Sequence, residues 1–208
     1  MQISFGAAVT KSKVNLILPV ALALALASCS WSPEQAADTP PVVKADQPLA
    51  AAGSIEMQLA GGDYTIKAST DEHVRVSFAG NTGNAAADLG INGTHATLTV
   101  KDTPHNNFRA TVEVPKTSDL VIHLSGGNLN VAAITGNKDI DSKAGNVAIA
   151  IPDSKDYSNV EAEVKVGNLS AGPFGDSGSG IAPHLKWSGP GKYTLRASLG
   201  AGDLELKH

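Results

Sequence analysis

A short phrase that begins with glycine recurs along the second half of the chain. It reads GNLNV at 127–131, GNVAI at 145–149, GNLSA at 167–171 and GDLEL at 202–206. Glycine, asparagine and aspartate tolerate the positive φ of a tight turn, and the residues after them follow a short apolar alternation. Each phrase therefore predicts a turn followed by a short strand. GDYTI at 62–66 is an earlier copy, and GNKDI at 136–140 is a weaker one.

The spacing of the phrases predicts how these strands stack. Gly127 and Gly145 are 18 residues apart, and Gly145 and Gly167 are 22 residues apart. Nearly constant intervals are typical of stacked coils, in which each Gly-Asn corner lies above the last. The sequence therefore predicts an all-β fold, a parallel β-solenoid with antiparallel strands at its N-terminal part. Stacked asparagine side chains would hydrogen-bond from one coil to the next.

A chain of hairpins, giving an antiparallel β-sandwich, is the alternative, because Gly-Asn also suits a tight hairpin turn. The two folds pair different residues. A solenoid pairs Leu129 with Val147 in parallel, whereas hairpins pair neighbouring strands antiparallel. The interval before the last phrase is longer, and its residues 172–190 read as an inserted loop.

Alternation of apolar and polar residues predicts further strands before the repeat. Four sets of apolar residues would face a core, namely Ile55, Met57 and Leu59; Val74, Val76 and Phe78; Ala96, Leu98 and Val100; and Phe108, Ala110, Val112 and Val114. A period of two is typical of strands with one face buried and one face in water. Asn92-Gly93 suits a two-residue turn between two of these strands.

The first 28 residues have the features of a bacterial export signal. Lys11 and Lys13 precede an apolar segment, 14–28, which is shorter than the roughly 20 residues that a membrane-spanning helix needs. The segment runs into LASC, residues 26–29, which resembles the lipobox of bacterial lipoprotein precursors. This resemblance implies cleavage before Cys29, lipidation of Cys29 and attachment to the lipid bilayer. The alternative is an ordinary signal peptide that leaves Cys29 as a thiol.

The residues after the cysteine predict a linker and then one domain. Residues 29–53 contain four prolines and no periodicity, so they predict a flexible tether, and the β domain is expected over 54–208. Ser30, in place of aspartate, favours the outer membrane if the source is Gram-negative. Both charges before Cys29 are basic, so the rest of the chain has a formal charge of −6. This acidic balance argues against a nucleic-acid partner.

Residues 111–151 combine a strand that ends in Val-Pro, a short polar gap and the first glycine phrases. This segment resembles the bacterial "putative adhesin" domains of unknown function, and the resemblance extends loosely from Gly62 to the C-terminus. It implies a parallel β-solenoid on the cell envelope, and it brings no catalytic residues to this chain. The insertion at 172–190 departs from the even repeat of that family.

Three features suggest chemistry, but each lacks a required partner. GDSGS at 175–179 resembles the nucleophile segment of trypsin-like serine proteases, but no histidine has that family's context, so the segment reads as a flexible loop. GAGD at 200–203 is similar to calcium-binding nonapeptide repeats but lacks their tandem copies. The six histidines form no close His-x-His or His-x-x-x-His pair. The sequence therefore predicts no metal site and no cofactor.

Two aromatic residues are the candidate ligand contacts. Trp187 and Tyr193 lie among lysines and Gly-Pro turns, where an exposed ring could stack on a sugar or meet a protein partner. A Trp187 that caps the end of the core is the alternative. Asp139 and Asp141 would share one face of a strand, as the paired carboxylates of a glycan-active enzyme could. The alternative is that they are ordinary solvent-exposed side chains of that strand.

These features together predict a non-catalytic, envelope-anchored lipoprotein with an interaction or structural β-solenoid domain, of adhesin-like type. Its expected partners are the lipid bilayer, through acylated Cys29, and an unidentified protein or glycan. A glycan-active enzyme on the same scaffold, and an envelope assembly or sensor partner, are the alternative functions.

Overall fold

The structure, a computed structural model, describes residues 40–208. The predicted signal sequence, Cys29 and the first part of the predicted tether lie outside the described residues. Within 40–208 the chain is all β apart from two single turns of 3-10 helix, Ser154–Asp156 and Gly172–Phe174. No helix in this range is long and apolar enough to cross a bilayer.

Fourteen strands belong to one mixed sheet. They are β1 (Val42–Pro48), β2 (Ser54–Leu59), β3 (Gly62–Ala68), β4 (His73–Gly80), β5 (Ala86–Asn92), β6 (His95–Lys101), β7 (Phe108–Val114), β8 (Asp119–Leu124), β9 (Gly127–Val131), β10 (Lys138–Ala150), β11 (Tyr157–Ala171), β12 (Asp176–Ile181), β13 (His184–Ser188) and β14 (Tyr193–Lys207). The all-β prediction is confirmed.

The strands that carry the glycine phrases pair in parallel and in register. β9 lies between β3 and β10, and β14 lies between β10 and β11. Leu129 pairs with Val147 in parallel, which is the pairing that a solenoid requires. The antiparallel sandwich is not supported at these central strands, because the neighbours it needs there are parallel.

Three strands are long because each turns a corner and continues along a second set of neighbours. The first half of β10 pairs with β8, and its second half pairs with β9. β11 and β14 follow the same course beside it. The corner separates two outward surfaces. We call the outward side of β6, β2, β8 and the first halves of β10, β14 and β11 the first face.

The order of the rungs in space differs from their order along the chain. Gly202 pairs with both Gly145 and Gly167, so the C-terminal strand β14 inserts between β10 and β11. The reason lies in the segment 172–190, which is not a loop. It forms β12 and β13, which pair antiparallel with the two halves of β11 and cover its far edge. β14 therefore occupies the edge of β11 that faces β10.

The segment 175–179 is also not a flexible loop. Gly175 ends the second 3-10 turn, and the residues after it run through β12. The antiparallel strands predicted at the N-terminal part are present: β5 pairs with β6, and β4 pairs with β7. Antiparallel strands thus cover both ends of the parallel stack, so that shorter strands form the outer edges of the sheet.

The predicted tether is wrong over its C-terminal part. Residues 42–48 form β1, which pairs antiparallel with β4, so the domain begins before residue 54. The proline content hid this strand. Pro48 is its last residue, and an edge strand tolerates proline because one of its edges needs no backbone donor.

An ion-pair network holds β1 against the sheet. The carboxylate of Asp46 accepts from His73 Nδ1 at 2.7 Å and from Arg75 Nε at 3.0 Å. Arg75 Nη1 also reaches Glu113 Oε2 at 3.1 Å, and Arg75 pairs with Asp71. The hydrogen bond from His73, followed by Arg75, lowers the pKa of Asp46. Four segments of the chain are joined through Arg75, including the first strand.

The core confirms the predicted alternation. Every apolar residue of the four predicted sets is buried, at 3% exposure or less. Asn92-Gly93 forms the predicted turn between β5 and β6, with Gly93 at φ +62°. The buried side chains of the repeat, such as Leu129, Val147 and Leu204, continue the same cluster. One hydrophobic core therefore runs through the N-terminal strands and the glycine phrases.

Five glycines meet at the corner in what we call the glycine ladder: Gly62, Gly127, Gly145, Gly202 and Gly167, in spatial order. All five have φ between +108° and +155°. A Cβ added at Gly145 would overlap the carbonyl oxygen of Gly127, and one at Gly127 would overlap that of Gly62. Gly202 and Gly167 meet the same kind of neighbour, whereas a Cβ at Gly62 would overlap the Phe108 ring. Conformation and close contact therefore both require glycine at the ladder.

Amide and carboxylate side chains form a second ladder one residue later. Asn128 Nδ2 donates to Asp63 Oδ1 at 2.7 Å, and Asn146 Nδ2 donates to Asn128 Oδ1 at 3.1 Å. Farther along the stack, Asn168 Nδ2 donates to Asp203 Oδ1 at 2.6 Å. The predicted hydrogen bonds between stacked asparagines are thus present, and aspartate takes part in them as an acceptor.

Replacing a ladder glycine should destabilise the protein far more than replacing a glycine with a similar φ elsewhere. Gly145→Ala should lower the free energy of unfolding by about 3 kcal/mol or more, because the left-handed conformation and the overlap with Gly127 both add cost. Gly180→Ala is the control, since Gly180 has φ +102° but no atom within 4 Å of an added Cβ. It should cost about 1–2 kcal/mol. Urea denaturation measures both, and equal losses would contradict the role of the close approach.

Candidate functional site

Trp187 lies on β13, the edge strand beside the first half of β11, and its ring is half-buried. It packs against Phe174 with ring centroids 5.0 Å apart, and Phe174 meets Tyr157 edge-on at 6.2 Å. These three rings cover the end of the hydrophobic core beside β11. The structure thus gives Trp187 a packing role, and a ligand contact there stays a prediction.

Tyr193 lies on the other side of β11 and borders a surface groove of about 300 Å³, the tyrosine groove. The ammonium of Lys192 lies 4.6 Å from the centroid of the Tyr193 ring. A hydrogen bond with Tyr193 raises the pKa of Lys192. Asp119 and Asn137 also line this groove, and Asn137 Nδ2 donates to both carboxylate oxygens at 3.1 Å. Trp187 does not line it, so the fold places the two predicted aromatic contacts on opposite sides of β11.

A buried lysine next to the tyrosine groove escaped the sequence analysis. The side chain of Lys138 is 1% exposed. Its Nζ donates to the carbonyl oxygens of Ile134 at 2.6 Å and Gly136 at 3.2 Å, and to the Tyr157 hydroxyl at 2.9 Å. Strand parity could have revealed it, because Lys138 shares its side of β10 with the buried Ile140. The lysine thus supplies hydrogen-bond donors to two carbonyl groups of the preceding turn.

Burial sets the protonation of this cluster. Burial lowers the pKa of Lys138 to about 8, against the opposing charges of Asp119 and Asp156. Burial raises the pKa of Tyr157 to about 12. The amine and the phenol are therefore pushed apart in pKa, and Tyr157 stays neutral throughout the range in which Lys138 titrates.

The first face brings serine, histidine and aspartate side chains into one row. His123, Asp141 and Ser198 occupy matching positions on β8, β10 and β14. In a serine hydrolase the histidine must lie between the aspartate and the serine. Here Asp141 lies between the other two, and the Ser198 hydroxyl donates to Glu163 Oε1 at 3.0 Å. The row is an exposed strip of polar groups rather than a triad.

Asp139 and Asp141 share the outward side of β10, as the sequence predicts, and both are exposed. Arg196 is the register neighbour of Asp139, and Glu161 follows Arg196 in the same row. The carboxylates of this face therefore lie side by side on one surface of the sheet, with other side chains between them. Among the residues of 40–208, no group of three or more His, Cys, Asp or Glu side chains is arranged to hold a metal ion.

A second groove, of about 380 Å³, opens at the corner beside the glycine ladder. We call it the corner groove. One wall is the loop 102–107 between β6 and β7, and the other consists of glycine pairs at the start of β3 and β9. The polar side chains that line it are those of Asp63, Thr103, His105 and Asn107. The doubled glycines at 61–62 and 126–127 were its only sequence signal.

The loop of the corner groove is held in one conformation. Asp102 and Asn107, at its two ends, have left-handed φ values of +56° and +53°. The hydroxyl of Thr103 donates to the carbonyl oxygen of Gly61 at 2.7 Å. Aspartate and asparagine tolerate this conformation, so both ends of the loop suit the turns that they make. The bond from Thr103 joins the loop to the glycine wall of the corner groove.

No protein-family model and no curated protein matches this sequence. Among solved structures, a "putative cell adhesion protein" from Clostridium sporogenes is similar, with a TM-score of 0.51 and 13% identity over 80% of this chain and 99% of that one. A "putative adhesin" from Bacteroides fragilis has a TM-score of 0.25 and 7% identity over 80% of this chain and 96% of that one. A "putative adhesin" from Parabacteroides merdae has a TM-score of 0.29 and 11% identity over 80% of each chain. The similarity to the Clostridium protein shows a shared fold.

The buried lysine predicts an unusual dependence of stability on pH. Lys138 has a lower pKa folded than unfolded, so the unfolded chain binds more protons between about pH 8 and 10.5. The free energy of unfolding should therefore rise by roughly 1–2 kcal/mol from pH 8 to pH 10. Above pH 10 it should fall, because burial raises the pKa of Tyr64 and Tyr157, and both phenols keep their protons longer when folded than when unfolded.

Denaturant titrations at pH 8, 9 and 10 measure this rise. Lys138→Met should remove it, because methionine cannot titrate. Lys143→Met, at an exposed position of the same strand, should retain it. A stability that is flat from pH 8 to pH 10 in the unmodified protein would contradict the assignment.

Proposed function

We propose that the protein is a non-catalytic, envelope-anchored lipoprotein whose domain is a short parallel β-solenoid that binds a partner, in the manner of an adhesin. The observation that carries this proposal is the first face. Its strands present aligned rows of exposed polar side chains, such as the row through Gln58, His123, Asp141, Ser198 and Glu163. A regular surface of this kind suits an extended ligand.

A binding role explains the first face better than glycan hydrolysis does. Glycosidases place two carboxyl groups on opposite sides of the bond that they cleave. Asp139 and Glu161 instead lie in one row on the same surface, with Arg196 between them. A sugar laid on this face would contact the carboxylates from one side only. The arrangement supports recognition of a ligand and supplies no acid and base across a bond.

The position of β1 supports attachment through the N-terminus. β1 is the first element of the described chain, so a load applied through an anchored Cys29 reaches the sheet at this strand. The ion pairs of Asp46 with His73 and Arg75 reinforce the point of entry. Such pairs are individually weak when exposed, but a network joined through one arginine is stronger than isolated pairs.

Replacing Cys29 tests the anchor. The protein expressed in its native host should sediment with membranes, and intact-mass spectrometry should show a lipidated N-terminal cysteine. Cys29→Ser should remove the added lipid mass, because no other acylation site replaces the thiol at that position, and it should leave the apolar segment 14–28 uncut. Ser30→Ala is the control and should remain with the membranes. A bare thiol in the membrane-associated protein would overturn the proposed anchoring.

Photo-crosslinking tests the binding surface. A crosslinking amino acid in place of Asp141 on the first face, or of Tyr193 in the tyrosine groove, should capture the same partner from intact cells. The same substitution at Asp153, an exposed position in the turn before the first 3-10 helix, should capture less. Equal capture from all three positions would count against a specific surface.

A role as an envelope assembly partner is a second candidate, and one observation favours it. Ile181 is 88% exposed, and its pairing partner Val166 is 58% exposed. They lie together at the β12 edge of the sheet, where an exposed aliphatic pair suits a protein contact. If this edge binds the partner, Ile181→Lys should abolish capture by the crosslinker at Tyr193, whereas Asp141→Ala should leave that capture unchanged.

A further inference from the structure

We propose that the corner groove binds a neutral sugar residue of a glycan. This inference deepens the proposed function, on which it rests, by naming a ligand class and a subsite. The groove has a volume of about 380 Å³, which lies in the usual range for small-ligand sites and accommodates a sugar ring.

Two glycines keep the groove open although the fold does not require them. Gly61 and Gly126 precede the ladder glycines Gly62 and Gly127, and neither has a left-handed φ. A Cβ added at either position would meet its nearest atom at 3.7 Å, an ordinary contact. Packing and backbone conformation therefore both permit a side chain at these positions.

The other rungs show that side chains are tolerated there. Ala144, Ala201 and Val166 occupy the matching positions before the other three ladder glycines. Only the two rungs that line the corner groove have glycine at this position. Glycine thus replaces a larger residue only where the rung lines the groove, and the fold itself does not require glycine at these two positions.

The side chains around the groove suit hydroxyl groups. The carboxylate of Asp63 accepts one hydrogen bond from Asn128, and a carboxylate has capacity for several more. Asn107 offers both donors and an acceptor, and His105 offers a ring nitrogen. Pro104 and the buried Phe108 supply apolar surface. Carboxylate, amide and apolar groups around one cavity match the alternating hydroxyl and C–H groups of a sugar.

The groove favours a neutral sugar over an acidic one and over a peptide. Asp63 is the acidic residue that lines the groove, and its register neighbour Arg109 lies outside the lining. Among the described residues no lysine or arginine lines the groove, so it lacks the cations that carboxylated or sulfated sugars need. Two backbone groups of the glycine wall are already paired: Gly62 N donates to Gly126 O at 3.0 Å, and Gly61 O accepts from the Thr103 hydroxyl. A peptide strand would need free backbone partners of this kind.

Binding to an array of oligosaccharides tests the proposal. The full chain, purified in detergent, is applied to neutral hexose- and N-acetylhexosamine-terminated oligosaccharides, to sialylated and sulfated ones, and to peptides. We expect retention on neutral oligosaccharides. The best of these is then titrated against variants. Gly126→Val adds a side chain to a residue that lines the groove, and the natural Val166 shows that this position of a rung accepts valine.

Each groove variant has a matched control. Gly126→Val should weaken binding about tenfold or more, whereas Ala144→Val, at the same position of the next rung, should leave it unchanged. Asn107→Gly removes an amide of the groove but retains the left-handed backbone, and it should also weaken binding. Asp102→Gly makes the same change at the other end of the loop, outside the groove, and should not.

The outcomes separate this inference from the proposed anchoring. Retention on peptides alone, on acidic sugars alone or on nothing would overturn the sugar site, as would unchanged affinity in both Gly126→Val and Asn107→Gly. Binding in detergent does not depend on Cys29, so a failure of lipidation leaves this test intact. Conversely, a membrane-bound protein that ignores every oligosaccharide would retain the anchor and lose the sugar site.

Discussion

The close approach of backbones at the glycine ladder is the constraint on which the rest of the structure depends. Each ladder glycine adopts a left-handed φ, and all but Gly62 would place a Cβ against the peptide of the rung beside them, as at Gly145 and Gly127. This contact lets a single strand bend and continue along a second set of neighbours. Both outward faces, and the core between them, follow from that bend. The hydrogen-bonded amides beside the ladder keep successive bends in line.

The strands at the two ends of the parallel stack explain why the order of the strands in space differs from their order along the chain. Parallel rungs leave backbone donors and acceptors unpaired at the last strand. Here β12 and β13 satisfy the far edge of β11, and β4 and β5 satisfy the other end. Once the segment 172–190 has covered that edge, β14 fits only on the side of β11 that faces β10. The insertion therefore dictates where the C-terminus pairs.

Local rules predicted the strands and the core because period-two alternation and glycine turns depend on neighbouring residues alone. The parallel pairing of Leu129 with Val147 followed from the spacing of the phrases. The position of β14 did not, because it depends on competition between distant edges for the same partner. β1 was missed because its edge position, rather than its composition, makes it a strand. Of the site residues, Tyr193 was found by its rarity, whereas Lys138 needed strand parity and the corner groove needed the fold.

The glycines of this chain divide into those that the fold requires and those that it only permits. Gly127 belongs to the first kind, because its φ and its neighbour leave no room for a side chain. Gly126, directly before it, belongs to the second kind. A sequence pattern cannot separate the two, since both read as parts of the same turn. The structure distinguishes them by the atoms that an added Cβ would contact. Where a Cβ would contact nothing closely, folding does not require glycine, and the absence of a side chain needs another explanation. The groove beside them supplies that explanation.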